Sequence, residues 1–419
     1  MKLILATLLF AGWCVAASAQ TNDSLDTCIE TALANNPDIA TARKRWDAAV
    51  QKVPQASALD DPTIGVDVAR RSAGAAAASE NGFMVSQAVP WFGKRDLRDR
   101  VETGAAKQAE MSWRMKTLEI VAMVKQAYYD LWQTQRELEV NERNQELMRQ
   151  FVGVARVRYE TGKASQSDLI RAQNELAKLS EDRVDRERMR LQALAELNQL
   201  LRRAPGTPVE IGPEVTAPVM EPGVTLEQLL AAAEERPEVL GVREGAVRSA
   251  EAALALAKKS YYPDVQVRVE AWQYEGKSGI QEYDTGVSIN FPWLNRGKYR
   301  AAIDEARANL DASRDELDAM HTRTAAEVKK LYDGVHTMHH HYDLYTEKLI
   351  PQQQLAVEAA RAAYETGTGG FLDVLDARRM LFDLEMQNLH HAAEFQRLLA
   401  SLERTVGGRL PMAPAEVKK

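Results

Sequence analysis

Among the side chains able to do chemistry, the histidines come first. All seven lie in the second half of the 419-residue chain. His336, His339 and His340 have i, i+3, i+4 spacing, which sets three imidazoles on one helix face, as a metal site needs. They fall off the apolar seam defined by Val335, Met338 and Tyr342, so a solvated face accounts for the same spacing. His390-His391 is a weaker candidate, because no acid or Cys completes a tight site in sequence. Two aspartates hold matched positions: Asp168 six residues past Gly162, and Asp373 six residues past Gly367, each followed by an aliphatic residue. The bland role for Asp there is to cap the next helix. The many Asp/Glu–Arg neighbours read as exposed helix pairs. No nucleophile elbow, phosphate loop or zinc-protease signature is present. Nothing implies an enzyme or a cofactor. Of the two cysteines, Cys14 lies in an N-terminal leader, which leaves Cys28 without an intrachain disulfide partner and gives no redox or Cys-metal site.

The elements that must position these residues come in two copies about 200 residues apart. Tyr159-Glu160-Thr161-Gly162 recurs as Tyr364-Glu365-Thr366-Gly367. Pro90-Trp91-Phe92-Gly93-Lys94-Arg95 recurs, with an insertion, as Pro292-Trp293-Leu294-Asn295-Arg296-Gly297-Lys298. Asn36-Pro37-Asp38 recurs as Arg236-Pro237-Glu238. An ordered set at this period marks a domain duplication. Each copy opens with a helix pair broken at Pro, expected over Leu25–Asn35 and Asp38–Gln55, then Leu226–Glu235 and Glu238–Ser260. Ser24 can cap the first copy and Thr225 with Gln228 has capping-box spacing.

Two alternating segments follow in each copy. Ile64, Val66 and Val68, then Phe83, Val85 and Val89, alternate with small or polar residues. Val265, Val267, Val269 and Ala271, then Val287, Ile289 and Phe291, do the same. Period two predicts strands, with hairpin loops over Ser72–Gly82 and Gln273–Asp284. Long helices come next, from Gly93 to Gly162 and from Gly297 to Gly367, with Pro351 the one proline. At 1.5 Å per residue each is roughly 100 Å long. Val328, Leu331, Val335, Met338, Tyr342, Tyr345 and Leu349 follow coiled-coil spacing. Returning helices end near Leu201 and Val406. The layout is a signal peptide at 1–19, a first repeat at 20–203, a linker at 204–223, a second repeat at 224–406 and a tail at 407–419.

The leader has Lys2, an apolar run over Leu3–Gly12 and a small-x-small site at Ala17-Ser18-Ala19, so the chain is read as exported. Trp13 stands where a lipoprotein signal wants a small residue before Cys14, so no lipid anchor is expected. The net charge is −7, and losing Lys2 makes it one unit more negative. An acidic chain without a basic stripe argues against nucleic acid. No later segment is apolar enough for a membrane helix. Four strands cannot close a barrel, yet open edges are not tolerated in hydrocarbon. The strands must therefore be shared between copies. Three chains give twelve strands and a lumen, whereas two would give eight and a filled interior. Val, Ile, Phe and Ala form the outward set, and Asp67, Gln266, Arg268, Glu270, Ser288 and Asn290 belong to the inward one. Trp91, Phe92, Tyr261, Tyr262, Trp272, Tyr283 and Trp293 cluster at the strand ends, where interface girdles sit.

On these residues the whole mature chain resembles the TolC-type outer membrane factors. The resemblance implies a mainly α fold with a membrane β-barrel: a duplicated strand-strand-long-helix plan, assembled as a homotrimer with a twelve-stranded barrel on a periplasmic α-helical tunnel in the outer membrane. It implies an exit duct that works with a periplasmic adaptor and an inner-membrane pump of the RND type. Gly93-Lys94-Arg95 after Val89-Pro90-Trp91-Phe92 resembles the branch serving heavy-metal cation pumps. In the family the two turns form the tunnel tip, so Tyr159, Gly162, Tyr364 and Gly367 are expected there, on the adaptor-docking surface. Family acids after the second turn ring a constriction. Carried over, these are Asp373 and Asp376, with Asp168 matching the first turn, and rings of acids select cations or hold a gate. The family's type member has an Arg two residues past the second-turn Gly, where this chain has Gly369, so any lock must use other partners. A soluble periplasmic adaptor is the competing reading, but one hairpin and a larger β content are expected of it. Metal cations, small organic compounds and secreted polypeptides all use similar ducts.

Overall fold

The computed structural model describes residues 24–73, 76–209, 211–212 and 224–410. The leader with Cys14, the middle of the linker and the end of the tail lie outside the described residues. The first repeat contains α1 (Leu25–Asn35), α2 (Pro37–Ser57), β1 (Thr63–Ala73), β2 (Ala76–Val89), α3 (Lys94–Glu160) and α4 (Gln166–Leu200). The second contains α5 (Leu226–Glu235), α6 (Pro237–Lys259), β3 (Val265–Tyr274), β4 (Glu282–Ile289), α7 (Arg296–Leu344), α8 (Ile350–Thr366) and α9 (Phe371–Val406).

Local chemistry sets most boundaries. Ser24 caps α1, Asn36 caps α2 ahead of Pro37, and Thr225 with Gln228 forms the capping box of α5. α3 runs 67 residues without a break, roughly 100 Å. Its counterpart does not. A π-helical turn over Tyr345–Leu349 separates α7 from α8, and the Ile350 N–H bonds the Tyr345 carbonyl five residues back. Pro351, just beyond, has no N–H for an α-helical bond, and the wider turn accommodates that loss. The predicted seam holds through Val328, Leu331 and Val335, all buried, and through half-buried Met338 and Tyr342; at Tyr345 the π turn ends its regular spacing.

The strands form one antiparallel sheet in the order β1-β2-β3-β4. β1 and β2 pair up to Ala73 and Ala76, so the expected Ser72–Gly82 loop is largely strand. Its Ser, Ala and Gly residues carry too little hydrophobicity to show a period, and pairing with neighbours holds them extended instead. The register puts Ile64, Val85, Val269 and Thr285 in one row, with Val66, Phe83, Ala271 and Tyr283 beside it. This face is apolar and open: Ile64 is 78% exposed and Val287 73%. The other face carries Asp67, Arg268, Glu270, Glu282 and Asp284. Trp272 belongs to this polar face, its ring lying against Gly82, so it is not one of the outward girdle aromatics. It covers the gap that a glycine leaves in the strand.

Three apolar clusters run along the helical body. One joins α1, α3, α4 and α9 and takes in Val209 and Ile211 of the linker. A second joins α5, α7 and α9. The third packs the two helix turns together through Met148, Leu179, Tyr364, Phe371 and Leu375. Asn141, fully buried, donates to the Leu179 carbonyl and to Asp182, and Gln145 donates to Asn141. A polar lock of this kind fixes the register of α3 against α4. No helix among the described residues is long and apolar enough to cross a membrane.

Candidate functional site

The two repeated turns lie at one end of the helical body and touch each other. Gly162 and Gly367 both sit in the left-handed region, at φ 70° and 82°, which explains a glycine at the same place in each copy. Asp168 completes a capping box: its amide donates to the Ser165 hydroxyl at 3.2 Å and its carboxylate accepts from the Ser165 amide at 3.3 Å. Asp373 accepts from the Gly370 amide at 3.0 Å. Asp376 is exposed and lies 3.7 Å from Arg379. Tyr159 is exposed, whereas Tyr364 is 5% exposed and meets Phe371 edge to face.

Apart from Tyr364, links between the hairpins involve residues that sequence reasoning did not single out. The Arg158 guanidinium stacks 4.3 Å over the Tyr364 ring and donates to the Tyr364 carbonyl. Burial raises the Tyr364 hydroxyl above its ordinary pKa, Arg158 opposes that, and Asp168 adds to it. Arg379 of α9 forks onto Glu175 of α4, with Nε at 2.9 Å from Oε1. Hydrogen bonding to Glu175 is the main reason its guanidinium is held above its usual pKa. Beside them Arg378 lies 5.5 Å over Phe151, its pKa lowered chiefly by burial and then by Arg361. A groove of about 270 Å³ opens here between α3, α4 and α9, lined by Phe151, Lys178, Arg378 and Phe382 among others.

Gly369 approaches Ala363 so closely that an added Cβ would stand 2.8 Å from the Ala363 Cβ. This turn has no room for a side chain there, so the links run through Arg158 and Arg379.

At the far end a second network fastens the sheet to the helices. Lys94, 4% exposed, donates 2.8 Å bonds to the Tyr262 carbonyl and to Asp264. The Trp91 amide also donates to Asp264 at 2.8 Å, and the Asp264 amide donates to Asn290 at 2.7 Å. Asp264 thus ties the exits of β2 and β4 to the entry of β3. Lys94 was visible in the repeated motif, but its partner stands in no motif.

The three histidines at i, i+3, i+4 have separate surroundings. His336 packs on Tyr332 at 4.4 Å, His339 lies 3.3 Å from Asp343, and His340 is exposed. Among the described residues no group of three or more His, Cys, Asp or Glu side chains converges as a metal site. The structure brings His341 of α7 to within 5.0 Å, ring to ring, of His391 of α9 instead.

Comparison with known proteins gives this geometry a family. The family model described as "Outer membrane efflux protein" matches residues 28–202 and 229–408, one stretch for each repeat. Protein CyaE of Bordetella pertussis is 22% identical over 389 residues, covering 89% of this chain and 82% of its own. The cobalt-zinc-cadmium resistance protein CzcC of Cupriavidus metallidurans is 20% identical, covering 92% and 90%. Among solved structures, CusC superposes with a TM-score of 0.81 at 20% identity, covering 93% of each chain. The outer-membrane channel OprN gives 0.81 at 18%, covering 92% and 90%. Proteins of this family are trimeric channels rather than enzymes, and they work with periplasmic adaptors and inner-membrane pumps. The chain belongs to the outer membrane efflux protein family: it is an outer-membrane channel of tripartite efflux, a β-barrel carrying a long periplasmic helical tunnel.

Proposed function

We propose that three copies of this chain close a twelve-stranded barrel and passively conduct cations, heavy-metal ions among them, delivered by an inner-membrane pump of the RND type through a periplasmic adaptor. The observation that carries the reading is the four-stranded sheet with β1 and β4 each paired on one side only, its outer face apolar and exposed. In hydrocarbon both edges need strands from sister copies. Cations are favoured by the opposite face, where, among the described side chains, Asp67, Glu80, Glu270, Glu282 and Asp284 outnumber Arg268. The likeness to a cobalt-zinc-cadmium resistance protein supports the same cargo.

The tip is read as the gate and the adaptor dock. Three copies of Asp373 and Asp376 would ring the aperture, with Asp168 on the first turn. The Glu175–Arg379 and Arg158–Tyr364 links would hold the closed state in the absence of a side chain at residue 369. The adaptor would engage the tip around Tyr159, Gly162, Tyr364 and Gly367 and the adjoining groove.

Purified trimer in planar bilayers tests the reading. A cation-selective conductance is expected, reduced in selectivity when Asp373 and Asp376 become Asn. An anion-selective pore, or a detergent-free soluble monomer, overturns it. A deletion strain sensitised only to organic compounds, and not to cobalt, zinc or cadmium, would move the cargo to small organic molecules.

A further inference from the structure

We propose that His341 and His391 form a binding site for a borderline divalent transition-metal ion, Cu2+ above all, on the helical body of the channel. The site is independent of what the duct conducts. α7 and α9 run side by side here, and Tyr345 donates to Gln387 at 2.6 Å while Thr346 meets Asn388. Those contacts hold the two backbones in a register that sets His341 opposite His391. The rings stand edge to face at 5.0 Å, and Tyr345 closes one side of His391 at 4.9 Å.

The second observation concerns hydrogen bonding. His391 Nδ1 is buried and has no hydrogen-bond partner. A buried polar nitrogen left unpaired is costly, and a neutral imidazole nitrogen with a free lone pair is a metal ligand. The adjacent π-helical turn is the kind of local irregularity that clusters at functional positions in helices.

Two imidazoles leave the remaining coordination positions to water, since no third His, Cys, Asp or Glu joins them among the described residues. Such an open site exchanges its ion readily, unlike a closed four-ligand structural site. Nitrogen ligands rank Cu2+ above Zn2+ and Ni2+. His391 lies about 30 Å along α9 from its start at the tip. The ion would therefore sit on the helical body, well away from the acids of the tip turns.

The test uses tag-free trimer in detergent, titrated with Cu2+ and with Zn2+. One Cu2+ per chain is expected, bound more tightly than Zn2+, with electron paramagnetic resonance showing two equatorial imidazole nitrogens. His341→Gln and His391→Gln should each weaken binding by at least about tenfold, while the His336→Gln/His340→Gln variant keeps it. Circular dichroism and trimer mass check that each variant is folded. Unchanged Cu2+ affinity in the His341→Gln/His391→Gln variant overturns the proposal, as does a signal from carboxylate oxygens only. Should His391→Gln fail to assemble, His341→Gln and the wild-type spectrum still decide.

Discussion

The Glu175–Arg379 link offers the sharpest test of the gate proposed at the tip. Arg379 reaches from α9 of the second hairpin to Glu175 of α4 in the first. Glu175 is largely buried, whereas the Arg379 side chain is 44% exposed, so water screens part of the attraction. A forked pair of this exposure contributes about 1 kcal/mol. Opening the trimer would break three copies together, about 3 kcal/mol. At 1.4 kcal/mol per factor of ten, the closed-to-open ratio should fall by about 100-fold in Glu175→Gln. Single-channel recordings in planar bilayers read that ratio directly as open-time fraction. Arg379→Ala should do the same. The charge-swapped double variant Glu175→Arg/Arg379→Glu should recover part of the closure, because the pairing is restored with opposite polarity. An open fraction unchanged in both single variants would refute the assignment of this pair to the gate and leave Arg158 and Tyr364 to hold it.

Three further outcomes are expected. Lys94→Met should lower the heat resistance of the trimer on denaturing gels by the equivalent of about 2–3 kcal/mol, because it leaves Asp264 and the Tyr262 carbonyl short of a donor; unaltered resistance would show that the junction does not depend on it. Gly104→Leu should cost about 1–3 kcal/mol, because a side chain there would run into the Ser249 backbone of α6, and the loss of cooperative melting by circular dichroism checks it. His391 has a lowered folded pKa, so the unfolded chain binds the extra proton first. Its stability contribution is intact above the unfolded value of about 6.5 and declines as pH falls below it. The thermal midpoint should therefore drop between pH 7.5 and 5.5, and less so in His391→Gln; equal drops in both would assign the effect to other groups.

Much of the fold was readable from local chemistry. Pro37 and Pro237, with capping residues at Ser24 and Thr225, locate helix starts to within a residue or two, since caps and prolines act over one turn. Strand existence was readable from Val and Ile alternation, but strand length was not. Residues 72–73 and 76–82 are small or polar and become strand only because partners hold them. The glycine turns and the Asp168 cap follow from spacing. The hairpin links do not, because Arg158 and Tyr364 are 206 residues apart and Arg379 and Glu175 are 204. Those separations fall one residue either side of the 205-residue offset between Tyr159 and Tyr364, so each link joins neighbouring rather than identical positions of the two copies. That near-period separation is the one marker these links share. Lys94–Asp264 and His341–His391 carried no such marker. They depend on which faces meet once the helices are packed, and a single-chain pattern does not record that.

The π-helical turn before Pro351 gives the two hairpins unequal mechanics. α3 is an uninterrupted rod whose ladder of hydrogen bonds resists bending along its whole length. The α7–α8 limb already has a widened turn followed by a residue that cannot donate, and a flexing helix yields first where its ladder is thinnest. Any swing of the tip will therefore pivot near residue 350, with the first hairpin standing as the post and the second as the leaf hung from it.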